Sequence, residues 1–415
     1  MAEDPTPWGG WAPAVRDDPF PYFAAVRAQC PVQPVRLSDG HDAWVILGHE
    51  AARQALNDPR ISKDMLAALA DDPDVVAEGL PGPAFSRHML NVDPPDHTRL
   101  RRLVAKAFLP SRVAALEPRI QVLTDDLLDQ LAAQGPDATV DLVEGFAHPL
   151  PFRVICELLG VPEGDRAPLH DHFGVLMRPW GDDPPPAAVL ASDSIVACLR
   201  DLVEAKRRSP GDDLVSVLVS AGDDDRLNDQ ELLSSLFQLI VAGHDTTTAN
   251  IGNAVVALLD HPDQLEALRA DLDRMPAAVE ELLRYSAPVP HATFRRTTGP
   301  LAVGGTEIPD GQQVLVCLAA ANHDPAAHPD PDVLDIDRPA RAHLAFGHGI
   351  HFCLGAPLAR LEARVALATL LRRFPDLRLA VPRDELEWAH GDGLVLRGLD
   401  ALPVTLGDQP APTAA

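Results

Sequence analysis

The segment Phe346–Gly355, FGHGIHFCLG, places one cysteine among glycines and histidines. Cys353 follows His348 and His351 closely in the chain. A thiol near a histidine suits nucleophilic catalysis, as in acyl transfer, because the imidazole can take the thiol proton. A thiolate also suits metal coordination, and a buried thiol can be a purely structural residue. The residue types alone leave these three interpretations open.

The glycines around Cys353 favour a metal ligand over a nucleophile. Gly347, Gly349 and Gly355 permit tight turns that aim backbone N–H groups at a sulfur. A helical pattern, LGAPLARLEARVALATLLRRF, begins near Leu354 and would point its positive N-terminal end at the same atom. Both features stabilise a thiolate. No CxxC or HxxxH pattern occurs, so a metal bound here would take its other ligands from a cofactor.

The second chemical signal lies inside the longest helical pattern, LNDQELLSSLFQLIVAGHDTTTANIGNAVVALLDH. The pattern starts with a capping box from Asn228 to Glu231, and its middle is apolar nearly all round, so it should be buried. Gly243, Asp245 and the threonines Thr246–Thr248 are costly in such a helix. One interpretation is a kinked core helix with satisfied hydroxyls. The other is a groove beside a cofactor, in which an acid and a hydroxyl move protons.

Helical patterns dominate the rest of the chain, so we expect a mainly α fold. One long helix is predicted in PSRVAALEPRIQVLTDDLLDQLAAQG, with Ser111 as its cap and Gly135 as its end, and others in ASDSIVACLRDLVEAKRR and AAVEELLRY. Strand patterns are short and few: PVQPVRL, AWVIL, LAVGGTEIPDGQQVLVCLA and LRGLDALPVTL. They predict small sheets at the edge of a helical body.

Composition limits the possible partners. The 415 residues carry a formal net charge of -26, which argues against general binding to nucleic acid or to anionic membranes. The N-terminal MAEDPTPWGGWAPAVRDDPF has no apolar run typical of a signal peptide, and no span of about twenty uncharged apolar residues follows. We therefore expect a cytoplasmic protein without a membrane anchor.

The cysteines are few, odd in number and scattered, which does not indicate a disulfide framework. Four of them lie in ordinary apolar surroundings and are predicted to be small core residues: Cys30, Cys156, Cys198 and Cys317.

FGHGIHFCLG resembles the haem-binding loop of the cytochrome P450 family, whose pattern is F-x-x-G-x-[HR]-x-C-x-G. Phe346, Gly349, His351, Cys353 and Gly355 occupy the fixed positions. The motif is specific because so many positions must match together. The resemblance runs from about residue 20 to residue 405, so it covers nearly the whole chain.

Further segments agree with the family in order and spacing. EELLR matches its E-x-x-R motif with Glu281 and Arg284, and AANHDPAAHPDPDVLDIDR resembles the meander before the cysteine loop, with Arg338. The resemblance implies a structural charge network of these three residues.

AGHDTT resembles the oxygen-activation motif of the family, with Asp245 as the acid and Thr246 as the alcohol. This pair is implied to deliver protons to bound oxygen. DPPDHTRLRRLV resembles a helix of the bacterial members in which His97 and Arg101 lie one turn apart.

The resemblance implies a large helical body with small β-sheets and haem b between the long distal helix and the helix after the cysteine loop. Cys353 would be the axial thiolate and Phe346 would cover its bond to iron. Four residues would hold the haem propionates: His97, Arg101, Arg295 and His351. Arg295 is preferred over Arg296 by its spacing to Gly305. The other implied cofactor contacts are Gly347, Gly355 and Ala242.

The implied activity is that of a monooxygenase, which hydroxylates or epoxidises its substrate with dioxygen and electrons from NAD(P)H. Ferredoxin reductase and ferredoxin would supply the electrons, and we expect a monomer. The alternatives are a peroxide-driven enzyme of the same fold, which the Asp245–Thr246 pair argues against, and a non-catalytic haem-binding or gas-sensing protein. Basic residues that could guide an acidic ferredoxin are Arg99, Arg102, Lys106, Arg360 and Arg364.

The family binds substrate with four regions, which correspond here to Ser62–Leu90, Phe173–Ala191, Leu239–Thr246 and Val289–Phe294. They hold mostly apolar residues, so we expect a bulky, largely apolar small molecule, such as a macrolide, terpenoid, steroid or peptide of secondary metabolism. Candidate contacts are Met89, Leu90, Leu176, Val241, Ala242, Val289, Pro290 and Leu394.

The domain boundaries follow from the same resemblance. Residues 1–19 are predicted to be an N-terminal extension, 20–405 a single domain, and 406–415, which include GDQPAPTAA, a disordered tail.

Overall fold

The structure is a computed structural model that describes residues 8–9, 13–64, 85–177, 185–220, 226–339, 342–388 and 394–409. The helices in this part, numbered in chain order, are α1 Pro13–Asp17, α2 Phe20–Gln29, α3 His49–Asn57, α4 Asp96–Ala105, α5 Pro110–Ala115, α6 Glu117–Ala132, α7 Pro149–Leu159, α8 Glu163–Leu176, α9 Pro186–Arg208, α10 Leu214–Val219, α11 Asp229–Leu259, α12 Pro262–Ala270, α13 Met275–Tyr285, α14 Leu318–Asn322 and α15 Ala356–Arg373. The strands are β1 Val32–Arg36, β2 Asp42–Ile46, β3 Ile61–Ser62, β4 Thr139–Asp141, β5 Arg295–Thr297, β6 Leu301–Val303, β7 Thr306–Ile308, β8 Gln313–Val316, β9 Arg378–Leu379 and β10 Pro403–Thr405. Among these helices, none combines the length and apolar character needed to cross a bilayer.

The chain divides into two compact units. The larger unit contains Met1–Ile61, Leu116–Leu150 and Thr246–Ala415, and the smaller unit contains Ser62–Ala115 and Pro151–Asp245. The long helix α11 passes from one to the other between Asp245 and Thr246.

Sheets of the larger unit are small, as predicted. Five strands lie in the order β1-β2-β8-β5-β3, with β1 antiparallel to β2, β2 parallel to β8, and β5 antiparallel to β8. A second sheet has the order β4-β10-β9, and β6 with β7 forms a hairpin. The two faces of the first sheet pack into two different apolar clusters. One cluster contains Ala43, Val45 and Leu47, and the other contains Val32, Ile46 and Val316.

Helix α15 is the central helix of the larger unit. Its leucines, alanines and valines are buried on several faces, which explains why its apolar pattern is not confined to one stripe. It packs against α6 and α13. Gln121 on α6 donates to the Thr369 hydroxyl at 3.0 Å, and Arg373 donates to the Asp125 carbonyl at 3.2 Å. The helix that follows the cysteine loop is therefore fixed along its length.

In the smaller unit, α9 packs on α8 and α10. The Asp213 carboxylate caps α10 by accepting from the Ser216 N–H at 2.8 Å, and it also binds Lys206 at 2.6 Å. The capping box predicted at the start of α11 is present, because the Asn228 side chain accepts from the Glu231 N–H at 2.9 Å and Glu231 accepts from the Asn228 N–H at 3.0 Å. Arg99 on α4 donates to the same Glu231 carboxylate and joins the two helices.

The long helix predicted from Ser111 to Gly135 is wrong in one respect, because it is two helices. α5 ends at Ala115 and α6 begins at Glu117, with Pro118 in its first turn. Proline has no N–H to donate backwards, so it starts a new helix rather than continuing the old one. Ser111 consequently lies inside α5. Gly135 follows the end of α6 with φ +102, as a helix-ending glycine should.

Both predicted ends of the domain need correction. Trp8 is 1% exposed, forms a bridge with Leu37 and donates its indole N–H to His291 Nε2 at 3.1 Å, so the packed structure begins before residue 20. At the other end Leu406 is buried and the Gly407 N–H donates to the Pro136 carbonyl at 3.1 Å. The remainder of the predicted tail, from residue 410, lies outside the described residues.

Candidate functional site

The cysteine loop is held in shape by its own backbone. Gly347 and Gly349 have φ +70 and +75, a region that only glycine enters without strain. The Gly347 N–H donates to the Leu344 carbonyl at 2.8 Å, and the Cys353 N–H donates to the Phe346 carbonyl at 2.9 Å. The loop therefore turns back on itself and presents Cys353 at a fixed place. Gly355 differs from the expectation, because its φ is -80 and its conformation does not require glycine.

Gly349 also lets the loop approach a neighbouring helix. A Cβ at this position would lie 2.5 Å from the Leu56 carbonyl oxygen and 2.9 Å from Asn57 Oδ1, at the end of α3. Both distances are far below contact distance. At Gly347, in contrast, a Cβ would meet no atom within 4 Å. Gly349 is thus required twice, for its backbone conformation and for the space it leaves.

The five cysteines, all described, differ in exposure: Cys156 and Cys317 are buried as predicted, whereas Cys30 and Cys198 are only half-buried. Cys353 is exposed, and α15 begins at Ala356 directly after it. Burial raises the pKa of Cys156 and of Cys317 to about 12, and it also raises the pKa of Cys198. The Cys30 thiol donates to the Val32 carbonyl at 3.0 Å. Only Cys353 combines access with the positive end of a long helix, which is what an axial thiolate ligand of a haem needs.

A carboxylate on α13 clamps the cysteine loop to α15. Glu280 accepts two hydrogen bonds from Arg360, at 2.6 and 2.8 Å, and one from His343 Nε2 at 3.1 Å. The Arg360 guanidinium lies over the ring of Phe346, 4.5 Å from its centroid. Burial raises the pKa of the Glu280 carboxyl, but the hydrogen bonds from His343 and Arg360 and the Arg360 charge outweigh it and hold the pKa at about 2.

We call Glu280, His343, Phe346 and Arg360 the loop clamp. His343 also accepts from the Ala345 N–H at Nδ1, 3.2 Å away, which fixes its Nε2–H toward Glu280. From the sequence, Phe346 was expected to cover the bond from Cys353 to iron and Arg360 to guide a ferredoxin, and neither Glu280 nor His343 was identified. The only signal was the doubled glutamate in EELLR, whose first member faces the loop and whose second does not.

That second glutamate, Glu281, lies in a separate buried network. Arg284 donates to its two carboxylate oxygens at 2.8 Å each, and Arg338 donates at 3.0 Å. Arg284 also donates to the carbonyls of Asn322 and Pro331, at 3.1 and 2.7 Å. Burial raises the pKa of Glu281, but the two arginines lower it below its ordinary value. The network ties α13 to the segment before the cysteine loop.

The four residues expected at the haem propionates lie two in each unit. In the smaller unit His97 is 3% exposed near the start of α4, and Arg101 is half-buried one turn later. In the larger unit Arg295 is 5% exposed on β5, and His351 is half-buried in the 3-10 turn Gly349–His351. Buried imidazole and guanidinium groups need hydrogen-bonding or anionic partners. Binding of the haem propionates by these residues stays a prediction from the family resemblance.

Helix α11 is buried on both sides of its centre but not at the centre itself. Ala242 is exposed, and Val241, Gly243, Asp245 and Thr246 are half-buried. The residues that the family resemblance places beside the haem are thus less covered by protein than the helix turns on either side of them. A Cβ on Gly243 would lie 3.4 Å from Cδ1 of Ile155 on α7, so this glycine permits close helix packing.

The substrate candidates differ in how their side chains are used. Met89 and Leu176 are buried, and Leu90, Val241 and Val289 are half-buried. Val289 packs against the apolar cluster of the first sheet, and the Pro290 carbonyl accepts from the Ala319 N–H at 3.0 Å.

Leu394 is 4% exposed and packs in the apolar cluster that contains Trp8 and Phe23. Its side chain is thus occupied by the core rather than available to a substrate. Residues 65–84 and 178–184, which belong to the expected substrate regions, lie outside the described residues.

The basic residues expected to guide a ferredoxin are largely paired. Arg99 binds Glu231, Arg360 binds Glu280, and Arg364 binds Glu117 at 2.8 Å. Arg102 and Lys106 are exposed at the end of α4. Three of the five charges are therefore offset by neighbouring carboxylates, and docking of a ferredoxin stays a prediction.

Comparisons with known proteins agree with this geometry. The model of the family described as "Cytochrome P450" matches residues 190–390. Cytochrome P450 107B1 of Saccharopolyspora erythraea is 48% identical over 395 residues, which cover 93% of this chain and 94% of the relative. The 6-deoxyerythronolide B hydroxylase of the same organism is 43% identical over 401 residues, with 92% and 95% covered.

A solved structure, the tirandamycin C-bound P450 monooxygenase TamI, is 44% identical and superposes with a TM-score of 0.85 over 96% of this chain and 99% of that chain. The similarity therefore extends over nearly the whole length of this chain and of each of these proteins.

Proposed function

The chain belongs to the cytochrome P450 family and is a haem-thiolate monooxygenase, and from this premise we propose that it hydroxylates or epoxidises a bulky, largely apolar secondary metabolite. The cofactor would be haem b, with Cys353 as its axial ligand. The observation that supports this most directly is the exposed Cys353 thiol, on a loop that Gly349 and the loop clamp hold at the start of α15.

When bound, the haem activates dioxygen, and its thiolate ligand favours cleavage of the oxygen–oxygen bond. The residues of this chain supply the surroundings of that chemistry. Cys353 would supply the ligand sulfur, and Phe346 at the start of the loop has its ring against the Arg360 guanidinium. His97, Arg101, Arg295 and His351 would bind the propionates.

Asp245 and Thr246 would supply protons at the centre of α11. The threonine hydroxyl can hold and pass on a proton, and the half-buried Asp245 carboxyl can renew it. The exposed Ala242 between buried helix turns leaves room for a ligand beside this pair. If the proton supply fails, reduced oxygen is released as peroxide and product is lost.

The substrate class rests on the apolar character of the candidate contacts Met89, Leu90, Leu176, Val241 and Val289. The name of one relative states that it hydroxylates 6-deoxyerythronolide B, and TamI was solved with tirandamycin C. Macrolides and other large metabolites with few charges are therefore the first compounds to test.

The electrons would come from NAD(P)H through a ferredoxin reductase and a ferredoxin. We propose that the protein acts in the cytoplasm as a monomer. Because three of the five basic residues near the proposed docking face are paired with carboxylates, the salt dependence of reduction should be modest.

The test is a screen of a defined panel: 6-deoxyerythronolide B, mycinamicin IV, vitamin D3 and myristic acid. A substrate should shift the haem absorption spectrum. With NADPH, a surrogate ferredoxin and its reductase, and isotopically labelled dioxygen, the product should gain one labelled oxygen atom. Oxidation that requires peroxide and fails with the redox chain would contradict the proposal. Binding of panel compounds without any oxidation by either route would favour a sensor.

A further inference from the structure

A histidine lies directly beside the proposed proton donor. His244 Nδ1 is 3.3 Å from the Asp245 carboxylate, although the two residues are neighbours on α11. The His244 side chain is only 8% exposed, whereas that of Asp245 is 32% exposed. An imidazole with a carboxylate at Nδ1 is oriented by it and can exchange a proton with it.

The His244 ring is held among aromatic neighbours of the same unit. The ring of Phe152 on α7 meets it edge-on at 5.2 Å between centroids, and the ring of His170 on α8 lies at 5.8 Å. Phe152 is also edge-on to His170, at 4.9 Å. The two imidazoles therefore share one aromatic wall, and a ring nitrogen of each lies within 4.8 Å of the other. One water molecule can bridge such a gap.

His170 leads from this pair toward solvent. Its side chain is 35% exposed, and its Nδ1 lies 3.7 Å from the carboxylate of Asp171, which is 82% exposed. The arginine of α8, Arg166, is held by Glu157 and Glu163 at 3.4 and 2.7 Å, and a second histidine, His172, lies two residues beyond His170. Exposure thus increases stepwise from His244 to His170 to Asp171.

We propose that His170 and His244 form the route by which protons reach Asp245, so that His244 is a positioning and proton-supplying residue for the reaction. The inference rests on the proton-supplying role proposed above for Asp245 and Thr246. In one cycle His170 takes a proton from solvent and passes it through a bridging water to His244. The resulting imidazolium gives a proton from Nδ1 to the Asp245 carboxylate, which passes it to the Thr246 hydroxyl. Only N–H and O–H bonds form and break, and nothing is oxidised or reduced.

Packing alone would be served by any ring in these places, so the variants must separate three roles. His244→Phe keeps the aromatic ring and loses both nitrogens. His244→Asn keeps an N–H near the position of Nδ1, so it can orient Asp245 without carrying protons. His170→Phe breaks the route at its outer end and leaves the contact between His244 and Asp245 intact.

The experiment measures the hydrogen peroxide released per NADPH oxidised by the haem-loaded protein with the surrogate redox chain. It is done with the panel compound that gives the largest spectral shift and also without added compound. We expect His244→Phe, His244→Asn and His170→Phe each to raise the peroxide share severalfold and to lower the turnover rate by roughly tenfold or more, the size of a lost acid–base step. Their carbon monoxide spectra and substrate-induced shifts should stay those of the wild type.

Thr246→Ala and Asp245→Asn are measured beside these variants. If both raise the peroxide share while the histidine variants do not, the proposed route is wrong and the proposed function stands. If neither raises it, the proton-supplying role of the pair falls and the route falls with it. If His244→Asn behaves as the wild type and His244→Phe does not, His244 only orients Asp245, which also refutes the transfer of protons.

A second readout needs no turnover. In the diamagnetic carbon monoxide complex of the reduced protein, the ring nitrogen signals of the histidines are recorded by NMR. Asp245→Asn should shift the His244 signals, and His244→Asn should shift those of His170. The signals of His291, which is hydrogen-bonded to Trp8 and to the Leu394 carbonyl, should keep their chemical shifts. Unmoved His244 and His170 signals would show that the contacts on which the route depends are absent.

Discussion

The loop clamp gives the most quantitative prediction, which is that Glu280→Gln loosens the cysteine loop. The pKa of the Glu280 carboxyl is held at about 2 rather than its ordinary 4.5. A difference of that size corresponds to about 3 kcal/mol of stability at neutral pH, since each unit is worth ~1.4 kcal/mol. The carboxyl is 28% exposed, so solvent screens it only in part. Glutamine at position 280 has no charge and only one acceptor oxygen, so it cannot accept all the hydrogen bonds that Arg360 and His343 donate to Glu280.

The sign of the pH dependence follows from the lowered pKa. A carboxyl whose pKa is depressed in the folded state stabilises the protein above its unfolded pKa, and this stability is lost as the pH falls toward the folded value. The wild type should therefore exceed Glu280→Gln by about 2–3 kcal/mol near pH 7. The difference should shrink below pH 4.5 and nearly vanish toward pH 2.

Urea unfolding at several pH values measures the difference, and the carbon monoxide spectrum of the reduced protein reports whether the thiolate ligand is retained. We expect Glu280→Gln to lose part of its haem-thiolate signal. The matched control is Glu117→Gln. It breaks the ion pair between Glu117 on α6 and Arg364, which lies on α15 as Arg360 does. Those side chains are 45% and 34% exposed, and such surface pairs are worth about 0–1 kcal/mol. Equal effects of the two variants, or a Glu280→Gln difference that does not depend on pH, would refute the reasoning.

The remaining predictions concern the loop and the buried charges around it. Gly349→Ala should abolish haem binding and Gly347→Ala should only weaken it, because both strain the backbone but only the first places a Cβ against Leu56; equal haem content in the two would contradict this. Burial raises the pKa of Glu362 to about 8. The folded chain therefore keeps a proton that the unfolded chain releases above pH 4.5. As a result, the stability of the wild type decreases as the pH rises from 4.5 to 8. Glu362→Gln should therefore be roughly 3 kcal/mol more stable than the wild type near pH 7 and nearly equal to it near pH 4.5 in urea unfolding; a gain that does not vary with pH would be evidence against a buried protonated carboxyl. Arg284→Lys should cost about 3–5 kcal/mol, because one ammonium cannot replace the forked contact with Glu281 and the carbonyl bonds; a loss below about 1 kcal/mol in the same assay would show that the fork is dispensable.

How much could be predicted from the sequence depended on the range of the interactions. The cysteine loop, the capping box at Asn228 and the mainly helical fold depend on residues that are close in the chain. Their sequence patterns were therefore sufficient to predict them. The break between α5 and α6 at Pro118 could also have been predicted, because proline is common in the first turn of a helix. It was missed because the apolar periodicity continues on both sides of it. Gly347 and Gly349 were correctly seen as turn residues, whereas Gly355 was included by proximity alone.

Contacts between distant segments could not be predicted in this way. Glu280 and Arg360 are eighty positions apart and meet only because α13 packs on α15. Leu394 is apolar like any substrate contact, and only the fold shows that it packs with Trp8 in the core. His244 carries no pattern of its own, and its meaning comes from His170 and Phe152 on other helices. Such pairings depend on tertiary packing, of which one sequence gives no direct record.

The central claim is that Cys353 supplies the thiolate ligand of a haem, and the carbon monoxide spectrum of the reduced protein tests it most directly. The wild type should show the strongly red-shifted absorption band of a thiolate-ligated haem. Cys353→Ala should lose that band, while Cys317→Ala, which removes a buried thiol of the same chain, should retain it. A red-shifted band that survives in Cys353→Ala would contradict the account.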